Sequence, residues 1–177
     1  MSQIASVHAR QILDSRGQPT VEVVYRRITS PAGPLLAAAS SRGLMMLAYR
    51  DHDEEPPGDG DPLVLDPVRR QLEEYFAGAR REFDLPLDWT LVSGFARAVL
   101  EATARIPYGE TRTYAQIAAE AGSPRAFRAA GNALGSNPIA IVIPCHRVVA
   151  SGGRIGGYGG GLDRKRLLLG LEGGAPG

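Results

Sequence analysis

Two short helical patterns separated by a tight turn constrain the fold of this chain more than any other feature. Thr113 followed three residues later by Gln116 is a capping-box pattern, which predicts a short helix up to Gly122. The Ser-Pro pair that follows is typical of a helix start and predicts a second helix over residues 125–134. Two short helices joined by a glycine-containing turn predict a helix-turn-helix.

The rest of the C-terminal half is predicted to add two helices and one strand to this unit. One helix is predicted to begin at Thr90, and a last helix is predicted over residues 163–171. Between them, residues 139–143 are apolar and mostly β-branched, which predicts a buried strand. That strand would lead directly into Cys145 and His146.

The N-terminal half has the pattern of a small sheet followed by a helix. Three apolar runs, at residues 21–25, 34–39 and 44–49, are separated by turn-forming residues and predict an antiparallel meander. Asp66 followed by proline predicts an N-cap and the first position of a helix.

A proline-containing connector predicts a domain boundary near Trp89. The predicted fold class is α/β (α+β). Residues 25–88 are predicted to form a small domain of antiparallel sheet and helix. Residues 89–177 are predicted to form a mostly helical domain that carries the helix-turn-helix and a loop with the cysteine.

Charge is distributed unevenly between the two halves of the chain. Residues 1–90 carry ten Arg against fourteen Asp and Glu, whereas residues 91–177 carry nine Arg and one Lys against five acidic residues. A basic half beside an acidic half is expected of a protein with one side that faces a polyanion. Chance fluctuation of surface charge explains the asymmetry equally well when it is taken alone.

Composition and local patterns exclude several classes of protein. No apolar run approaches the ~18 residues of a membrane span, and the first residues lack the pattern of a secretory signal. A single cysteine excludes a disulfide framework and a four-cysteine zinc site. We therefore expect a cytoplasmic protein with no membrane contact, no bound metal and no cofactor.

The single cysteine lies beside a histidine, which indicates nucleophilic chemistry. A thiol reacts as its thiolate, and a nearby imidazole is the usual base that activates it. Adjacent residues of an extended chain point to opposite faces, so contact between Cys145 and His146 requires a bend or a bridging water. Glu172 is a candidate third group that orients the imidazole. A buried cysteine that packs as a small apolar side chain is the alternative.

Coupled motifs of the C-terminal half resemble those of the O6-alkylguanine-DNA alkyltransferases. They are Ile106-Pro107-Tyr108-Gly109-Glu110-Thr111, Thr113-Tyr114, Gly131, Asn137-Pro138, Pro144-Cys145-His146-Arg147-Val148, Gly156, Tyr158, Gly160-Gly161-Leu162, Lys165 and Glu172-Gly173. The resemblance is strong over residues 90–177 and weak over residues 25–88. It implies a protein that repairs double-stranded DNA by transferring an alkyl group, such as methyl, from O6 of guanine to its own cysteine, once per molecule.

The resemblance also implies the roles of individual residues in the transfer. Cys145 would be the nucleophile, His146 would act as its base through a water molecule, and Glu172 would orient His146. Tyr114 would donate a hydrogen bond to the departing guanine, because a neutral phenol is a good donor. Asn137 would support the turn that carries the cysteine.

In this family the helix-turn-helix enters the minor groove and the damaged base leaves the stack. Arg128 would fill the space vacated by that base. The walls of the alkylguanine pocket would be Val148, Tyr158 and Gly159. Further contacts to DNA would come from Thr113, Tyr114, Ala115, Ser123, Ala129 and Ser151.

Two other functions are compatible with parts of the sequence. A non-catalytic protein of the same fold would bind alkyl lesions without accepting the alkyl group, and Cys145 argues against it. A helix-turn-helix regulator would read bases in the major groove, and the alanine-rich second helix offers few side chains for that. We expect an alkyltransferase that acts as a monomer.

The N-terminus departs from the alkyltransferase pattern. Residues 4–23 resemble the N-terminus of enolases, so residues 1–24 are predicted to be an atypical segment. Enolase activity is rejected because 177 residues are too few for the enolase barrel. Some alkyltransferases carry a structural zinc in the N-terminal domain, but only His8 and His52 remain as ligand candidates here, so we expect none.

Overall fold

A computed structural model describes residues 23–50 and 62–173. All but the last two residues of the predicted atypical segment 1–24 lie outside this described part, as do His8 and His52. The described residues up to Asp88 form one compact unit, and those from Trp89 onwards form a second. In the described part of the chain, no helix is long and apolar enough to cross a membrane.

The N-terminal unit is an antiparallel sheet with one helix. Its strands, paired in chain order, are β1 (Val24–Ile28), β2 (Leu35–Ser40) and β3 (Gly43–Tyr49). Helix α1 spans Asp66–Phe76 and buries one apolar face. The predicted meander is confirmed, although its first strand begins and ends three residues later than predicted.

Asp66 has a different local role from the predicted one. It is the first residue of α1, and Leu65 occupies the N-cap position without a side-chain cap. The Asp66 carboxylate instead pairs with Arg26 of β1 and with Arg69 one turn along the helix. An ion pair between elements therefore replaces the local cap.

The C-terminal unit is mostly helical, and the chain as a whole is α+β as predicted. Its elements are α2 (Gly94–Ala104), β4 (Arg112–Thr113), α3 (Tyr114–Glu120), α4 (Phe127–Gly135), β5 (Val148–Val149) and α5 (Leu162–Leu171). β4 and β5 form a short parallel pair. Helices α3 and α4 form the predicted helix-turn-helix.

One capping box and two preceding turns mark where α3, α4 and α2 begin. The predicted capping box is present: the Thr113 hydroxyl accepts from the Gln116 N–H at 3.2 Å, and Gln116 Oε1 accepts from the Thr113 N–H at 2.7 Å. α4 begins two residues later than predicted because the Ala126 N–H donates to the Ser123 carbonyl and closes a turn first. α2 begins at Gly94, after a 3-10 turn at Trp89–Leu91.

The prediction of a strand over residues 139–143 is wrong. The Val142 N–H donates to the Ala140 carbonyl at 2.8 Å, across Ile141, whose φ is +70°. This is a γ-turn with a left-handed central residue, a conformation that a β-branched residue adopts only under strain. The segment is therefore a compact buried loop, and it leads into Cys145.

Candidate active site

Cys145 is presented by a second tight turn. Pro144 has φ −81° and ψ 62°, and the Cys145 N–H donates to the Ile143 carbonyl at 2.8 Å, which is an inverse γ-turn. A single turn of 3-10 helix, Cys145–Arg147, follows at once. These turns supply the bend that an extended chain would lack. Cys145 itself is 7% exposed.

Asn137 holds the loop and the sulfur in place. Its Oδ1 accepts from the Ile139 N–H at 3.0 Å, and its Nδ2 donates to the Ile143 carbonyl at 2.9 Å. The same Nδ2 lies 3.1 Å from Cys145 Sγ. An amide nitrogen has two hydrogens, so Asn137 can donate to the loop and to the sulfur together.

The thiol of Cys145 needs a base at neutral pH. Burial raises its pKa, while the Asn137 hydrogen bond and the positive charge of Lys165 act in the opposite direction. Lys165 is fully buried, and its Nζ donates to the carbonyls of Val148 at 2.6 Å and Gly157 at 2.9 Å. Burial lowers the pKa of Lys165 to about 8. The cation therefore favours the thiolate without pairing directly with it.

His146 has the environment of a neutral base. Its Nε2 lies 2.9 Å from Glu172 Oε1, and a carboxylate accepts hydrogen bonds, so we assign the proton to Nε2 and a lone pair to Nδ1. Nδ1 is buried and makes no hydrogen bond to any residue of the described ranges. Burial lowers the pKa of His146, despite the opposing effect of Glu172. Within the same ranges, no hydrogen bond joins the side chains of Cys145 and His146, so proton transfer requires a mediator.

Arg147 contacts the candidate site, although the sequence predicted no role for it. Its Nε and Nη2 donate to the two oxygens of Glu172 at 2.8 and 2.9 Å, and its Nη1 donates to the Ile106 carbonyl at 2.6 Å. This bidentate pairing fixes the orientation of the Glu172 carboxylate toward His146. The available signal was an arginine two residues after the single cysteine and close to an apolar run, since a guanidinium that becomes buried needs a carboxylate partner.

A cavity of about 300 Å³ opens at the cysteine. Its lining residues are Tyr114, Gly131, Leu134, Gly135, Cys145, Gly157, Tyr158 and Gly159. The ring of His146 packs edge-on against Tyr158, with centroids 6.4 Å apart. The structure therefore places the predicted nucleophile and donor on one cavity wall, while the predicted base is buried and packs against Tyr158, which lines the same cavity.

Tyr114 spans the cavity wall and contacts the glycine-rich loop. Its hydroxyl donates to the Gly157 carbonyl at 3.1 Å, and burial raises its pKa, so the phenol is neutral. Gly156 has φ +68°, and a Cβ there would lie 3.1 Å from the tyrosine ring. Only glycine combines this conformation with the close approach.

Of the three residues predicted to form the pocket walls, two line the cavity and one does not. Tyr158 and Gly159 line the cavity, and a Cβ on Gly159 would lie 3.0 Å from the Gly135 carbonyl oxygen. Small residues on both sides therefore keep the cavity open. Val148 is fully buried outside the lining, because its carbonyl accepts from Lys165 and its backbone pairs with β4.

The predicted DNA-contacting residues lie on several elements of the C-terminal unit. Arg128, Ala115 and Ser151 are exposed, and Ser123 is half-buried. The Thr113 hydroxyl is engaged in the capping box. Ala129 is exposed on the opposite side of α4 from the cavity, where it lines a separate groove together with Leu91.

Comparison with known proteins identifies relatives that match both units. The family described as 6-O-methylguanine DNA methyltransferase, DNA binding domain, matches residues 94–174, and its ribonuclease-like domain matches residues 23–89. Methylated-DNA–protein-cysteine methyltransferases from Mycolicibacterium paratuberculosis and Methanosarcina barkeri are 48% and 46% identical to this chain. The matches cover 85% and 84% of this chain and 92% and 96% of those relatives.

Solved structures share the fold. A crystal structure of Mycobacterium tuberculosis O6-methylguanine methyltransferase superimposes with a TM-score of 0.75 at 46% identity, covering 87% of this chain and 95% of that chain. A crystal structure of Mycobacterium tuberculosis OGT in complex with DNA gives the same TM-score and identity, over 86% of this chain and 94% of that chain.

Proposed function

This chain belongs to the 6-O-methylguanine DNA methyltransferase family, and from this premise we propose that it repairs DNA by moving an alkyl group from O6 of guanine to Cys145. The observation that carries the proposal is the position of Cys145. It is the only cysteine of the chain, it lines a cavity, and its sulfur is hydrogen-bonded by Asn137. A buried thiol beside a neutral imidazole is suited to attack on carbon.

In the proposed reaction, His146 takes the proton of the Cys145 thiol through an intervening water, using the lone pair on Nδ1. Glu172 and Arg147 keep the imidazole in the tautomer that leaves this lone pair available. The imidazolium that forms is stabilised by the Glu172 carboxylate. Lys165 supports the thiolate electrostatically.

The thiolate then attacks the alkyl carbon in line with the bond to O6. A carbon–sulfur bond forms, the carbon–oxygen bond breaks, and its electron pair passes to the guanine ring, which takes up the proton released by the thiol. Tyr114 is a neutral phenol on the cavity wall. If its hydroxyl turns from the Gly157 carbonyl to the bound base, it would stabilise the negative charge that develops on the ring. The thioether has no good leaving group, so each chain reacts once.

The proposed partner is double-stranded DNA that contains O6-alkylguanine, bound by a single chain. The cavity holds about 300 Å³, which suits one base rather than a duplex, so the lesion must leave the stack. Arg128 is exposed on α4, the second helix of the helix-turn-helix, where it can fill the vacated space.

A duplex oligonucleotide with one O6-methylguanine tests this function. We expect the lesion to disappear from the DNA in a 1:1 ratio to protein added, with no turnover beyond that ratio. DNA that is bound while its lesion persists would replace the proposal with the non-catalytic lesion-binding function. An oligonucleotide with unmodified guanine is the matched control.

The rate of transfer is expected to stay constant as the pH falls through 6.5. Because burial places the pKa of His146 below 6.5, the neutral base persists to lower pH than an exposed histidine would allow. The measurement is the rate of reaction with O6-benzylguanine between about pH 7 and about pH 5, below the range in which Lys165, with its pKa of about 8, loses its charge. An acidic limb centred at or above 6.5 would contradict a buried neutral base.

A further inference from the structure

Phe127 is a large apolar side chain exposed on the second helix of the helix-turn-helix. It is 49% exposed and is the first residue of α4. Single exposed apolar residues are common on protein surfaces, so its position decides whether the exposure has a function.

Phe127 lies on the face of α4 that also borders the cavity containing Cys145. Phe127, Gly131 and Gly135 follow one another at intervals of four residues, which places them along one face of α4. Gly131 and Gly135 both line the cavity that contains Cys145. Phe127 is therefore one helical turn outward from the cavity wall.

Phe127 also contacts Arg128. The guanidinium carbon of Arg128 lies 6.0 Å from the centre of the phenylalanine ring, within the range of a cation–π interaction. The two side chains present a flat aromatic surface and a flat cationic surface next to each other. Arg125, one turn earlier in the chain, is also exposed, and α4 contains no acidic residue. These charges favour a polyanionic partner over an apolar protein surface.

We propose that Phe127 is a second stacking residue, which inserts at the base step beside the flipped guanine while Arg128 occupies the vacated position. The inference rests on the proposed function, since it requires DNA on α4. Proteins that bind the minor groove insert apolar side chains, including Phe, between base steps and unstack them. An aromatic ring stacks on any base, which suits a repair protein that acts regardless of sequence.

Phe127→Ala, compared with Phe127→Trp, tests the inference on three substrates. The substrates are O6-methylguanine in duplex DNA, the same lesion in a single strand, and free O6-benzylguanine. We expect the alanine variant to lose about tenfold or more in rate on the duplex and less on the single strand. Its rate on the free base should be unchanged, and the tryptophan variant should keep the duplex rate. Leu167→Ala, at a 40%-exposed position on α5, is the matched control and should be neutral on all three.

The outcomes separate this inference from the proposed function. An unchanged duplex rate in Phe127→Ala would overturn the stacking role, and so would an equal loss on all three substrates. A wild-type chain that reacts with none of them would overturn the proposed function instead.

A fluorescence measurement provides an independent test. Trp89 is the only tryptophan of the chain, so Trp89→Phe combined with Phe127→Trp leaves one reporter on α4. Stacking predicts quenched emission and protection from acrylamide when lesion-containing duplex is added. Unchanged emission on a duplex that is shown to bind would overturn the inference.

Discussion

Replacing Cys145 by alanine is expected to abolish alkyl transfer. The affinity for duplex DNA should stay within about twofold of the wild-type affinity, because contacts to the DNA backbone come from other residues. Cys145 is the only thiol of the chain, and it lines the cavity with its sulfur hydrogen-bonded to the Asn137 amide. The other side chains with a nucleophilic atom on the cavity wall are the phenols of Tyr114 and Tyr158, and a neutral phenol is a far weaker nucleophile than a thiolate. The measurements are lesion loss from a duplex oligonucleotide and its binding in a mobility-shift titration.

Cys145→Ser is the companion variant. It keeps the size and the hydrogen-bonding capacity of the side chain but replaces the thiol by a hydroxyl, which ionises far less readily. We expect no transfer from this variant either. Transfer by the alanine variant at the original rate would place the acceptor on another residue and contradict the mechanism.

Glu172→Gln is expected to reduce both the rate of transfer and the free energy of unfolding. The Glu172 carboxylate is fully buried and accepts from His146 and twice from Arg147. Glutamine keeps the shape but leaves the guanidinium without a counter-charge, and breaking a buried ion pair in this way costs about 3–5 kcal/mol. The tautomer of His146 is no longer held, so the rate should fall about 100-fold or more. Urea unfolding and the rate with O6-benzylguanine measure the two effects.

Two further variants separate catalysis from stability. Glu101→Gln removes an exposed ion pair with Arg97 on α2 and should change the free energy of unfolding by less than about 0.5 kcal/mol. The double variant Glu172→Gln/Arg147→Met removes both buried charges and should recover much of the lost stability while remaining slow. A Glu172→Gln variant with the original rate would show that Glu172 does not position His146.

Elements determined by neighbouring residues were predictable from the sequence. The capping box of Thr113 and Gln116 is read from two residues three apart, and it is present. The failed strand at residues 139–143 illustrates the opposite case. Apolar β-branched residues favour a strand, but here the amide of Asn137 bonds the loop backbone, and the chain turns at Ile141 instead. The periodicity of side chains does not report such a side-chain-to-backbone bond.

The residue types of the candidate site could be predicted from the sequence, whereas the hydrogen bonds that join them could not. Cysteine next to histidine indicates nucleophilic chemistry from residue types alone. The bidentate bond of Arg147 joins residues 25 positions apart, and Lys165 reaches the Val148 carbonyl from 17 positions away. These partners are determined by how α5 packs on the cysteine turn, which local sequence patterns do not describe.

The mass of the intact protein after incubation with O6-benzylguanine tests most directly whether Cys145 accepts the alkyl group. The mechanism predicts one added benzyl group per chain, located by peptide mapping on the peptide that contains Cys145, with free guanine as the other product. Saturation at one group per chain would agree with a single-use acceptor. An adduct on any other peptide, or an unchanged mass with both this substrate and methylated duplex DNA, would contradict transfer to Cys145.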